Sequence, residues 1–148
     1  MIDAEPPAPQ ACCESSAVCV FAKALLARAA VCELAERRAL AERDIIECPS
    51  PVARTNCGTL AALLHERARF ALRLATPRQP MVHAQALRLQ CGGMLGLKQA
   101  LGAPQADVHR MVSLAHERYG SLTELPWDAI VQALKAWPSR RQRRSAPP

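Results

Sequence analysis

Seven cysteines stand at positions 12, 13, 19, 32, 48, 57 and 91 of this 148-residue chain. Soft thiolates select zinc, copper(I) or iron–sulfur clusters. Two of them, Cys48 and Cys57, bracket the stretch Cys-Pro-Ser-Pro-Val-Ala-Arg-Thr-Asn-Cys-Gly, with eight residues between them. Pro49 and Pro51 read as extended chain that cannot continue a helix, so the stretch is expected to be a loop. Cysteines flanked by Pro, Ser, Asn and Gly complete no apolar face, and ligation is the reading that fits them best. Cys32 instead continues an apolar stripe and suits plain core packing, a common fate of free cysteine.

The spacing discriminates among metals. Structural zinc sites favour close pairs such as C-x2-C, and none occurs. An iron–sulfur cubane takes ligands from separated segments, and Pro49 directly after Cys48 matches a pattern seen beside cluster cysteines. The expected centre is therefore an iron–sulfur cluster, of the [4Fe–4S] type, with zinc second and copper(I) third. Cys48, Cys57 and Cys91 are the expected ligands. The fourth comes from the first segment, with Cys13 and Cys19 leading, Cys32 as fallback and Cys12 also open. Gly92, Gly93 and Gly96 follow Cys91 inside a helical pattern, where each costs about 1 kcal/mol relative to alanine. They predict that something large approaches the backbone there, and an inorganic core would serve.

Other chemistries find less support. His65, His83, His109 and His116 form no H-E-x-x-H pattern, although His109 and His116 share a helix face. No cysteine-protease or C-x-x-C signature, glycine-rich phosphate loop or acidic pair is present, so an enzyme acting alone is the weaker reading. The formal charge is +6, and four arginines lie within 139–148, leaving about +2 for the body. The body is thus not a strongly basic nucleic-acid surface. The tail Arg140-Arg141-Gln142-Arg143-Arg144 could bind nucleic acid or an acidic partner, and reads first as a solvated tail. The N-terminus lacks a signal-peptide pattern, and the most apolar run, 17–34, is broken by Lys23, Arg28 and Glu33, which falls short of a membrane span. A cytoplasmic setting keeps thiols reduced and argues against a disulfide framework.

The positioning elements are expected to be helices throughout. Aromatics make up 3% of the chain, so Leu, Ala and Val must build the core. Residues 1–11 read as a disordered lead-in, 12–138 as one helical domain and 139–148 as a basic disordered tail. A long first helix is expected over 16–43, from the stripe Val18, Phe21, Leu25, Ala29 and Cys32. The cysteine loop follows, then helices over 59–74, 81–101, 104–119 and 121–137, the last opened by a Ser121/Glu124 capping box. The sum is an all-α bundle of four to five helices, with one long cysteine-containing loop after the first helix. Its expected role is electron transfer or redox sensing towards a protein partner. Two other roles stay open: a metal-free helical adaptor that presents a second apolar face of the first helix, and a nucleic-acid-associated regulator that uses the tail.

Overall fold

The structure, a computed structural model, describes residues 17–74, 76 and 79–138. The proposed lead-in, Cys12, Cys13 and the arginine tail lie outside these residues. In chain order the elements are α1 (Ala22–Leu26), β1 (Glu36–Leu40), β2 (Arg43–Glu47), α2 (Pro51–Ala68), α3 (His83–Leu101), α4 (Val108–Tyr119), a 3₁₀ turn (Leu122–Glu124) and α5 (Trp127–Ala136).

The all-α expectation is corrected by the antiparallel hairpin β1–β2, which occupies part of the proposed first helix. Only Ala22–Leu26 of that helix forms. A Schellman closure ends it: Ala29 N–H donates to Ala24 O (2.9 Å) and Arg28 N–H to Leu25 O (3.1 Å). Arg28 takes φ +61° there, a left-handed conformation that glycine adopts freely and that costs a side-chain-bearing residue about 1 kcal/mol or more. Beyond it, β-branched Ile45 and Ile46 favour strand. Ile46 is buried at 4% while β1 is exposed along its whole length. Leu40 pairs with Arg43 around a two-residue turn, with Ala41 at φ +56°. Arg38–Glu47 (2.8 Å) and Arg37–Asp44 (3.7 Å) link the strands across solvent.

The long cysteine loop is corrected as well. Pro51 occupies the first turn of α2, where the missing N–H loses nothing, and Ser50 caps it by accepting from Ala53 N–H (3.2 Å). The helix thus starts eight residues before the expected position and carries Cys57 on its second turn. The three later helices fall where expected, with shifted starts. Asp107 caps α4 by accepting from Arg110 N–H (3.1 Å). Ser121 opens a 3₁₀ turn, and Pro126 separates that turn from α5.

The core lies between α2, α3, α4 and α5, and includes Leu60, Leu64, Met94, Leu97, Met111 and Ile130, none more than 2% exposed. Each such side chain stabilises by about 1.5–3 kcal/mol relative to exposure. The α3 glycines are explained by this packing, and not by a cofactor. A Cβ on Gly96 would lie 2.8 Å from Ile130 O, one on Gly92 3.2 Å from Leu134 Cα, and one on Gly93 2.9 Å from Leu64 Cδ2. Helix α5 therefore approaches α3 at backbone distance. Gln90 ties α1 to α3, accepting from Ala24 N–H (3.1 Å) and donating to Val20 O (3.2 Å). Among the described residues no helix is long and apolar enough to cross a membrane.

Two glycine substitutions test this packing with opposite signs. Gly96→Ala meets backbone that cannot yield, so a net loss of about 1–2 kcal/mol is expected after the gain in helix propensity. Gly58→Ala, in open space on α2, should gain about 0.5–1 kcal/mol. Urea midpoints of the two variants against the parent chain measure both.

Candidate metal centre

Four cysteines of the described residues lie on four different segments: Cys19 before α1, Cys32 ahead of β1, Cys48 after β2 and Cys57 on α2. Cys19 sits just before α1, on a short stretch that pairs with the end of β2. Its N–H donates to Ile46 O (2.9 Å), and Cys48 N–H donates to Ala17 O (2.9 Å), around an antiparallel bridge of Val18 and Glu47. This pairing sets Cys19 beside the chain that leads into Cys48. Cys48 is buried, follows β2 directly, and points its thiol at Ser50 O (3.7 Å). The Arg54 guanidinium donates to Cys48 O, which clamps the turn into α2. Cys57 lies one turn beyond Ala53 on the inner face of α2, and is half-buried.

Cys32 is delivered by a different device. Val31 N–H donates to Ala106 O (2.9 Å) and Val108 N–H to Val31 O (2.8 Å), a parallel bridge to the start of α4. Glu33, the next residue after Cys32, adds an ion pair with Arg110 (3.0 Å), and its other carboxylate oxygen lies 2.6 Å from His109 Nδ1. These two partners, His109 first, hold the Glu33 carboxyl below the ordinary range.

Two of the thiols are shifted. Burial pushes the Cys57 thiol from its ordinary 9.0 up to about 12, and Cys19, Cys32 and Cys48 add to the shift. Burial likewise raises Cys19, with Cys32 and Cys48 contributing; the Phe21 amide opposes this by hydrogen-bonding to the sulfur. Charge effects of this kind act between near neighbours, so the four thiols share one neighbourhood. They do not close on a point. Among the described residues no three His, Cys, Asp or Glu side chains converge closely enough to hold a metal ion.

Of the residues singled out from sequence, Cys19, Cys48 and Cys57 share this neighbourhood with Cys32 without converging on one point. Cys91 is 1% exposed in the core on α3, between helices that its neighbouring glycines admit. Cys13 lies outside the described residues. Cys32 was given lower rank because its stripe read as a helix face. A helix over 19–32 would have held those two thiols about 20 Å apart along its axis. The break after Leu26 removes that separation.

The raised Cys57 thiol makes stability depend on pH in the metal-free, reduced protein. Its folded value exceeds the unfolded one, so the folded state keeps a proton that the unfolded chain releases first. The stabilising contribution is complete below pH 9 and is lost as pH rises towards 12. Urea midpoints at pH 8 and pH 10.5 should fall in the parent chain and fall less in Cys57→Ala. Comparison of the chain with protein-family models, with curated proteins and with solved structures finds no match in any of the three.

Proposed function

We propose that this chain is a small iron–sulfur protein, in which Cys19, Cys32, Cys48 and Cys57 hold a [4Fe–4S] cluster for electron transfer or redox sensing towards a protein partner in the cytoplasm. The observation that carries this reading is the backbone pairing that sets the Cys19 segment beside the chain entering Cys48, next to the helix that bears Cys57. The spacing of the cysteines in the sequence favours a cluster over a single zinc, since structural zinc sites prefer close C-x2-C pairs and none occurs, whereas cluster ligands come from separated segments.

The cluster would supply one-electron chemistry. The chain's own residues would hold and tune it. The Phe21 amide, already aimed at the Cys19 sulfur, stabilises thiolate charge there. Arg54 fixes the Cys48 turn and sets a positive charge near an anionic centre. Buried Phe21, Ala24 and Ala53 lie next to the ligand segments in sequence and restrict water. Four cysteine ligands leave no iron position for a substrate, which favours electron transfer over substrate chemistry.

Raised thiols add a pH dependence. Each ligand must lose its proton on binding, so loading should be favoured by mildly alkaline pH and accompanied by proton release. The deciding measurement is anaerobic reconstitution with iron and sulfide, followed by metal analysis and a visible spectrum. A brown protein with about four irons per chain is expected. Cys57→Ser and Cys32→Ser should each lose most of that iron, and Cys91→Ser should keep it. A protein that takes zinc and refuses iron, or full iron retention in both ligand variants, removes the reading.

A further inference from the structure

The geometry points to a weak homodimer through the C-terminal end of α2, in which Phe70 of each copy enters a hollow on the other and Glu66 of each copy pairs with Arg73 of the other. No described cysteine lines that hollow, so the dimer does not depend on the four-cysteine reading. Phe70 is 87% exposed, more than any other large apolar side chain among the described residues. The ring is carried on a closed turn. Leu74 N–H donates to Arg69 O (2.9 Å) and Arg73 N–H to Phe70 O (3.4 Å), with Arg73 at φ +52°. Ala68 before this closure and Leu74 after it are both buried, which pins Phe70 to the core on either side. The Arg69 guanidinium carbon stands 5.9 Å from the ring centre, and the ring otherwise faces solvent.

Beside it lies a hollow of about 360 Å³, lined by Ala62, His65, Glu66 and Arg69 on successive turns of α2 and just beyond its end. A cavity of about 150 Å³ accepts benzene, so a phenyl ring fits. Phe70 does not line this hollow in its own chain. Ala62, Glu66, Arg69 and Phe70 recur at helical spacing, so knob and hole share one face. A twofold axis uses both at once, because the same patch then serves on each side.

Charge selects the same occupant. The side chains of Glu66 and Arg73 make no hydrogen bond or ion pair with the described residues. When Phe70 sits beside Glu66 of the second copy, Arg73, three residues along, comes level with that carboxylate. The contact repeats across the axis. A partner of single-sign charge would satisfy one of these two groups and repel the other, whereas a second copy satisfies both. One helix end from each copy covers less than the roughly 1,600 Å² of a standard interface, so the dimer is weak and exchanges freely.

The test is sedimentation of the full 148-residue chain at increasing concentration, with thiols kept reduced so that no disulfide links the copies. The parent mass should rise from one chain towards two between about 10 µM and about 1 mM. Phe70→Ala should weaken association about tenfold with unchanged circular dichroism, because the ring is exposed. Glu66→Arg and Arg73→Glu should each weaken it by a similar factor. Mixed in equal amounts, these two variants should associate with each other as tightly as the parent does with itself, since each supplies the charge the other lacks. Leu40→Ala, at an exposed apolar position on the hairpin, should change nothing. A parent chain that keeps a single mass at about 1 mM leaves the patch to a different partner and overturns the proposal. Parent-like association of Phe70→Ala overturns it too, as does a mixture of the charge variants that stays as weak as either alone.

Discussion

Two main-chain hydrogen bonds govern this molecule's N-terminal half: Cys19 N–H to Ile46 O and Cys48 N–H to Ala17 O. They make β2 the middle of a three-stranded patch, with β1 on one side and residues 17–19 on the other. That patch buries little, since Ile46 is the one buried side chain of the hairpin. Its geometry is therefore held by backbone pairing at a few points. The parallel bridge of Val31 to the start of α4 is the second such point, and Gln90 between α1 and α3 is the third.

The C-terminal half is organised in the opposite way. Helices α3 and α5 approach at backbone distance because Gly92 and Gly96 present no side chain, and large apolar residues close around them. Trp127 donates its indole N–H to Leu122 O (3.1 Å), and Arg118 caps the end of α3 through Leu101 O. Gly102 closes that helix at φ +61°, the conformation Arg28 adopts at the end of α1. A rigid, well-packed platform thus supports a thinly packed arm that carries the thiols.

This division explains what could be read from residue order alone. The later helices were legible because their stripes, caps and breakers agree: Pro80 before α3, Gly102 after it, Gly120 after α4. The first 35 described residues were not, because local signals conflicted. Apolar residues from Val18 to Cys32 recur at helical spacing, yet they serve a short helix, a closure and two short extended segments whose partners lie at Ile46 and Ala106. Such long-range backbone pairing leaves no mark in a periodicity. Pro51 was ambiguous for a different reason, since proline both interrupts helices and begins them. Among the cysteines, the loop-like neighbours of Cys48 and Cys57 belong to the start of a helix, with Ser50 as its cap and Pro51 in its first turn. The glycines drew attention to Cys91, although they serve helix contact.

The parallel bridge at Val31 has a consequence in time as well as space. Cys19, Cys32, Cys48 and Cys57 all precede Ala106 and Val108, which form the seat for the Cys32 segment. On a ribosome that adds about 5–20 residues per second, the last thiol emerges roughly 3–10 seconds before that seat does. Throughout this interval the nascent chain offers unseated thiols whose acidity is that of free cysteine, and so is greater than the folded site allows for Cys57. The gathering of the four cysteines therefore waits on a segment that is made after all of them.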